Sequence, residues 1–240
     1  MTDPQHIPAP HGPPVQRQIW RGHLLDDCDP TADVESLQSQ CQTLVEAGHL
    51  LTASLFRWEQ RLFLYLEVLT DGAPVSGISG PSTASGVSRI EQLTAALRPA
   101  LASWPGETTD RHWVAMTDIF HYHRCLGAEQ WRRKTPPERR SARVLRVRPE
   151  MASSYIFLHY QLQEERPAVG DKYGIIALHE DLMFFYAEDP AVIESPLYEG
   201  QLDTQNTPGD WHTLMEPHFS PWNDDGEEPF WRAIDCLFAV

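Results

Sequence analysis

A histidine and a tyrosine four residues apart are the first pair in the sequence whose types could do chemistry. His159 and Tyr155 fall on one face of a predicted helix, on a stripe that also carries apolar residues. An imidazole can give or take a proton near neutral pH, and a phenol hydroxyl both donates and accepts hydrogen bonds. The pair therefore fits acid/base chemistry on a bound molecule, with packing in the core as the alternative for each side chain.

Three more side chains have functional groups that can contact a ligand. Tyr173 begins a short apolar run after the helix, and Trp211 and His212 lie in a later predicted helix. A tyrosine hydroxyl can bond to a ligand hydroxyl, and an indole can stack on the apolar face of a ring. Packing in the core is the alternative for each aromatic side chain.

The composition predicts a globular protein with a substantial core. The chain has 240 residues, of which 41% are hydrophobic and 22% are charged. It has 19 Lys and Arg residues and 34 Asp and Glu residues, so the formal net charge is −15. This charge repels phosphate backbones and anionic lipids, and no apolar run approaches the roughly 18 residues of a spanning helix. We predict a cytoplasmic protein without a nucleic-acid or membrane partner.

The sequence offers no ligand set for a metal or a nucleotide. The four cysteines have no Cys-x-x-Cys spacing, which fits free thiols. His121, His123 and Cys125 alternate along a predicted strand, but no fourth ligand follows at a characteristic spacing. The glycines of residues 71–87 match neither a P-loop nor a dinucleotide fingerprint. We predict no metal and no cofactor.

A faint internal repeat predicts the architecture. Tyr65 aligns with Tyr186 at an offset of 186 − 65 = 121 residues, and Trp113 aligns with Trp231 at 231 − 113 = 118 residues. By hydrophobic periodicity, each half has the order strand, helix, strand, strand, helix, strand, which is that of a ferredoxin-like unit. We predict an α+β fold of two tandem ferredoxin-like βαββαβ units that form a pseudo-dimeric α/β barrel within one chain.

Proline and glycine set the predicted boundaries of the two units. The proline-rich residues 1–17 are predicted to be a disordered tail, and the N-terminal unit follows at 18–125. A basic linker with two adjacent prolines spans 126–142, and the C-terminal unit spans 143–240. Association of the pseudo-dimer into a larger homo-oligomer stays open.

The C-terminal half, over about 143–240, resembles the L-rhamnose mutarotase family. The residues that carry the resemblance are Val147-Arg-Pro149-Glu150, Tyr155, His159, Tyr173 and Trp211-His212. Members of that family are single ferredoxin-like domains that pair into α/β barrels and interconvert the α and β anomers of the sugar. The second of the family's paired tryptophans is replaced here by His212.

The resemblance implies an isomerase that acts on a deoxy-hexose such as L-rhamnose by acid/base ring opening. It makes His159 the catalytic proton donor and a small sugar the partner. The substrate-binding residues that it implies are Tyr155, Tyr173, Trp211 and His212.

The N-terminal half is predicted to be a degenerate copy. At the offset of 121, the positions of Tyr155, His159 and Tyr173 fall on Val34, Gln38 and Thr52. None of these three side chains titrates near neutral pH. The N-terminal copy would supply structure, and one wall of a pocket is a further possibility.

Two other classes of function stay open. A different enzyme could use the same barrel, for example a monooxygenase or a haem-dependent enzyme, because one fold hosts several chemistries. A haem enzyme would have an axial histidine and be coloured. The second class is a non-catalytic ligand-binding or regulatory protein, which would bind its ligand without turnover.

Overall fold

The computed structural model describes residues 12–70, 84–105, 110–222 and 228–240, and these form a mixed α+β protein. Its strands are β1 (Val15–His23), β2 (Leu50–Trp58), β3 (Arg61–Leu69), β4 (Val114–Ala115), β5 (Thr117–His121), β6 (Arg139–Val147), β7 (Ile175–His179), β8 (Leu182–Asp189), β9 (Phe219–Ser220) and β10 (Arg232–Ala239). Its α-helices are α1 (Thr31–Glu46), α2 (Ala84–Leu93), α3 (Ala128–Trp131), α4 (Ala152–Glu165) and α5 (Trp211–Met215). No helix in the described ranges has the length and apolar character needed to cross a membrane. The predicted α+β class is confirmed.

The described residues divide into two compact units, each discontinuous in sequence. The N-terminal unit contains residues 12–116, 125–132 and 235–240, and the C-terminal unit contains residues 117–124 and 133–234. The predicted N-terminal unit of 18–125 includes residues 117–124, which belong to the C-terminal unit of the structure. The predicted C-terminal unit of 143–240 includes residues 235–240, which belong to the N-terminal unit.

The N-terminal unit is an antiparallel sheet with a helix packed against it. The strand order is β4-β1-β3-β2, and the last part of β10 pairs with β2. The α1 helix packs on β2 because Val34, Leu37 and Cys41 recur at helical spacing and are buried. Trp20 and Trp113 are among the fully buried residues of this core.

The C-terminal unit contains a second antiparallel sheet. The first residues of β10, Arg232 to Ile234, pair with β6, and the order continues through β8, β7 and β5. The short β9 also pairs with β6. The α4 and α5 helices belong to this unit, and their apolar faces join the core around Leu145 and Met183. These two helices position four of the five residues that the sequence singles out for chemistry, and Tyr173 precedes β7.

Two strands begin within segments that the sequence predicts to lie outside the two units. The β6 strand begins at Arg139, within the predicted linker of 126–142, and β1 begins at Val15, within the predicted tail. Arg139 pairs with Asp189 on β8, and Arg140 lies near Glu188 of the same strand. The basic residues that indicate a solvated connector are therefore cross-strand partners. Residues 1–11 of the tail and residues 71–83 of the glycine-rich loop lie outside the described residues.

One arrangement of buried side chains occurs in both units. The Tyr65 hydroxyl donates a hydrogen bond to Glu67 Oε1, and the Tyr186 hydroxyl donates one to Glu188 Oε1, at 2.6 Å in each case. In the N-terminal unit, Trp131 Nε1 also donates to Glu67. The two tyrosines that align at an offset of 121 thus have the same role in each sheet.

Candidate functional site

A cavity of about 320 Å³ in the C-terminal unit is the candidate site. This volume is at the lower end of the range for small-molecule sites, about 300 to 1,000 Å³. Its lining residues come from α4, α5, the five strands β5 to β9, the residue after His121 and the segment before β10. Eight of them are aromatic: Phe120, Tyr122, Tyr155, Phe185, Trp211, Phe219, Phe230 and Trp231. The cavity therefore favours a flat, largely apolar ligand.

Four of the five predicted site residues line this cavity, and the fifth does not. Tyr155 and His159 come from α4, and Trp211 and His212 come from α5. Tyr173 lies before β7 and lines a separate cavity of the same unit. The guanidinium of Arg133 lies 4.1 Å from the centre of the Tyr173 ring, which holds that ring in the second cavity.

The α4 helix directs its chemically useful side chains inward. Pro149 opens a short 3₁₀ turn ahead of the helix, where its missing N–H costs no hydrogen bond. From there, the four-residue spacing of Tyr155 and His159 places both on the buried face, and Leu162 continues that face. Phe157 lies on the opposite face and is 61% exposed. The helical spacing thus separates the cavity face from the solvent face.

Three aromatic side chains hold the His159 ring in place. Tyr155 lies 4.0 Å from it between ring centres at a tilt of 33°, while Phe120 and Trp211 approach edge-on at 5.0 and 4.9 Å. His159 is 4% exposed. The ring is therefore fixed before any ligand arrives.

The hydrogen bond that His159 makes determines which ring nitrogen carries the proton. Its Nδ1 lies 3.0 Å from the backbone oxygen of Tyr155, and a carbonyl oxygen can only accept, so Nδ1 donates. Burial lowers the pKa of His159 from 6.5 to about 4; the Tyr155 carbonyl opposes this shift and His218 adds to it. The imidazole is neutral at pH 7, and Nε2 carries a lone pair. No described residue donates a hydrogen bond to Nε2, which leaves this nitrogen for a ligand.

Two tyrosines line the same cavity as His159. Burial raises the pKa of the Tyr155 hydroxyl, and the nearby Tyr122 raises it further. Burial also raises the pKa of Tyr122, with a smaller contribution from Asp171. Both hydroxyls keep their protons at neutral pH and can donate to a ligand oxygen. The site therefore combines one acceptor nitrogen with two phenol donors in aromatic surroundings.

The segment before α5 is tied to the end of α4. Glu165 accepts hydrogen bonds from the backbone N–H groups of Asn206 and Thr207. Asp210 then caps α5 by accepting from the backbone N–H of Thr213. These contacts fix where Trp211 enters the cavity wall.

Several lining residues were missed by sequence reasoning. Phe120 and Tyr122 alternate along the chain, the same period that singled out His121 and His123, and this signal could have found them. Trp231 was noticed only as a landmark of the repeat. No local sequence pattern indicates that Arg143 lines the cavity, because its position there depends on the pairing of β6 with its neighbouring strands.

The described residues contain no group of three or more His, Cys, Asp or Glu side chains placed to hold a metal ion. His121 hydrogen-bonds through Nδ1 to Asp118 instead. At the aligned positions of the N-terminal unit, Val34 and Thr52 are buried, and the Thr52 hydroxyl donates to the backbone oxygen of Val240.

We expect His159 to make the protein less stable in mild acid. Its pKa is lower in the folded state, so the unfolded chain takes up a proton that the folded chain excludes. The contribution of His159 is fully present above pH 6.5 and is lost as the pH falls toward 4, a loss of about 3 kcal/mol. Urea unfolding of wild type and His159→Gln between pH 7.5 and 4 measures it. An equal loss of stability in wild type and His159→Gln between pH 7.5 and 4 would contradict this role of His159.

We expect Gly170→Ala to disturb the Tyr122 wall of the cavity. A Cβ at position 170 would lie 2.6 Å from a carbon of the Tyr122 ring, closer than packed carbons come. Overpacking of this kind costs about 1 to 3 kcal/mol. Gly209→Ala is the matched control, since a Cβ there meets no atom within 4 Å. Equal midpoints of thermal unfolding for the two variants would contradict this packing.

Comparisons with known proteins give a distant set of neighbours. No family model matches the chain, and no curated protein matches it. A proposed monooxygenase from Fusobacterium nucleatum subsp. nucleatum is 8% identical over 95% of this chain and 94% of its own, with a TM-score of 0.41. A proposed monooxygenase from Lactobacillus acidophilus NCFM is 7% identical over 94% and 95%, with a TM-score of 0.44. An anthrone oxidase-like protein is 9% identical over 95% and 96%, with a TM-score of 0.37.

These findings correct the resemblance to the L-rhamnose mutarotase family. The neighbours are described as monooxygenases or as oxidase-like, and no family model or curated mutarotase matches. The predicted isomerase activity and sugar substrate are wrong with it. Tyr173, which the resemblance places beside His159, lines a second cavity of the same unit.

Proposed function

We propose that the C-terminal unit is a monooxygenase-type oxidoreductase whose substrate is a planar, hydroxylated aromatic molecule. The observation that carries the proposal is the lone pair on His159 Nε2, held by a fixed ring within a cavity of aromatic side chains. An acceptor nitrogen selects a ligand group that donates, and a phenol or an enol hydroxyl is such a group. The aromatic walls select the ring system that carries it.

The reaction that suits these groups oxidises an activated methylene with molecular oxygen. The balanced equation is R₂CH₂ + O₂ → R₂C=O + H₂O. Nε2 takes the hydroxyl proton of the enol form, and the resulting anion transfers one electron to O₂. A carbon–oxygen bond then forms between the substrate radical and superoxide, and the imidazolium returns its proton to the peroxide, which gives R₂CH–OOH. Loss of the remaining C–H proton with cleavage of the O–O bond forms the ketone and releases water. All four electrons come from the substrate, so no separate reductant enters.

Burial of His159 lowers its pKa, which weakens it as a base but keeps it unprotonated at neutral pH. A pKa of about 4 keeps His159 unprotonated at neutral pH, so its lone pair is ready for the substrate. A phenolate formed beside the imidazolium of His159 stabilises the positive charge of the imidazolium. Proton transfer from the bound substrate to His159 is therefore more favourable than its pKa alone indicates. The neighbouring Tyr155 and Tyr122 hydroxyls can donate to the developing oxyanion.

Oxygen uptake with anthrone tests the proposal. Anthrone is a flat three-ring ketone whose enol form is a phenol and whose keto form has an oxidisable CH₂ group. We expect the protein to consume one O₂ per anthrone at pH 6.5 and to place one ¹⁸O atom from ¹⁸O₂ in anthraquinone. An uptake rate equal to that of buffer, with anthrone shown to be bound, would remove the oxygenase assignment.

Binding without turnover is the second candidate, and the low pKa of His159 favours it because a weak base abstracts protons slowly. In that case anthrone quenches tryptophan fluorescence saturably, while the rate of oxygen uptake stays that of buffer.

We also propose that each unit is a ferredoxin-like βαββαβ repeat. The orders β4-β1-β3-β2 and β10-β6-β8-β7 support this, because both place the fourth and third strands of a repeat on either side of its first. The pseudo-dimeric barrel stays a prediction.

A further inference from the structure

One arginine at the candidate site differs from the other arginines of its strand. Arg139, Arg140 and Arg146 of β6 each lie within 4 Å of an acidic side chain contributed by β8 or the turn before it. Arg143 lies between them and makes no hydrogen bond or ion pair in the described part of the chain. It is exposed and lines the cavity that holds His159.

The strand register explains why Arg143 lacks an acidic partner. It pairs with Phe185 on β8 and with Ala233 on β10, and neither side chain can accept a hydrogen bond. Glu228 also lines the cavity, but no ion pair joins it to Arg143. In a chain with a net charge of −15, an uncommitted guanidinium at a cavity wall provides a local site for an anion.

We propose that Arg143 binds a carboxylate on the aromatic ligand, so that the substrate class is the hydroxylated aromatic acids. This inference rests on the proposed function, since it names a second group on the molecule that the cavity of His159 holds. The guanidinium fork matches a carboxylate with two parallel N–H···O bonds. Donation of the ligand hydroxyl to His159 and acceptance by the ligand carboxylate at Arg143 would fix one orientation of the ring system.

A matched pair of probes tests the proposal by calorimetry or by tryptophan quenching. 1-Naphthol and 5-hydroxy-1-naphthoate share the ring system and the position of the hydroxyl and differ in the carboxylate, which is on the other ring and leaves the hydroxyl free to donate. We expect wild type to bind the naphthoate about fivefold more tightly, a gain that shrinks at high salt because Arg143 is exposed. Arg143→Gln should abolish the gain, and the Kd of 1-naphthol should change far less than that of the naphthoate. Arg143→Lys should keep part of it.

Arg146→Gln is the control variant, because Arg146 lies on the same strand, pairs with Asp181 and does not line the cavity. It should behave as wild type. Equal affinity of wild type for the two probes, or an equal loss for both in Arg143→Gln, overturns the role of Arg143 while the proposed function stands. If neither probe binds wild type, the proposed function fails and the inference fails with it.

Discussion

Replacing His159 with glutamine is expected to lower oxygen uptake with anthrone by about 100-fold or more, since general base catalysis contributes about 10² to 10⁴ in rate. Glutamine keeps a polar side chain of similar reach but has no nitrogen that can take a proton. Anthrone affinity should change only a few-fold, because the aromatic walls supply most of the contact. The measurement is kcat and KM by oxygen electrode, with fluorescence quenching for binding.

His121→Gln is the matched control for loss of a histidine. Its ring bonds to Asp118 and does not line the cavity, so its oxygen uptake should equal that of wild type. Thermal unfolding of both variants separates loss of the base from loss of the fold. Oxygen uptake by folded His159→Gln at the wild-type rate would show that His159 is not the base.

Replacing Glu188 with alanine is expected to destabilise the C-terminal unit by about 3 to 5 kcal/mol. The Glu188 side chain is 1% exposed and accepts from Arg133 Nη2 and from the Tyr186 hydroxyl, each at 2.6 Å. Its removal leaves the guanidinium of Arg133, itself 10% exposed, without the carboxylate that compensates its lost hydration. Urea unfolding followed by circular dichroism measures the loss.

The next residue on the strand provides the control. Asp189→Asn breaks an ion pair with Arg139, and the side chains of Asp189 and Arg139 are 45% and 74% exposed. The variant should therefore lower the free energy of unfolding by no more than about 1 kcal/mol. In addition, the double variant Glu188→Leu/Arg133→Met should recover much of the loss of Glu188→Ala, because it removes both buried charges. Equal midpoints for Glu188→Ala and Asp189→Asn would contradict the structural role of this pair.

Local pattern was enough to locate the main elements of the C-terminal unit. The apolar period after Pro149 predicts a helix from about Pro149 to Glu165, and the structure has a 3₁₀ turn at Pro149–Met151 followed by α4 at Ala152–Glu165. Two short apolar runs on either side of His179-Glu-Asp181 predict a hairpin, and β7 and β8 form it. Strand and helix periods are short-range properties, so one sequence shows them. Which segment pairs with which strand is long-range, so no local pattern assigns residues 117–124 and 235–240 to a unit.

The same division applies to the candidate site. The spacing of Tyr155 and His159 put both on one helix face, and their shared cavity follows from it. Tyr173 was grouped with them through the family resemblance, and its actual neighbour Arg133 comes from the predicted linker. The low pKa of His159 depends on burial by Phe120 and Trp211, which lie 39 and 52 residues away in sequence (159 − 120 and 211 − 159). No local pattern contains that information.

The most direct test of the account is nitrogen NMR of the His159 ring in protein labelled with ¹⁵N-histidine, with the resonances assigned by comparison with His159→Gln. In the free protein at pH 7, Nδ1 should carry the hydrogen and Nε2 should be bare. On titration with 1-naphthol, we predict that the Nε2 resonance moves toward the protonated position while the Nδ1 resonance stays in place. An Nε2 resonance that does not move while 1-naphthol saturates the protein would contradict the central claim.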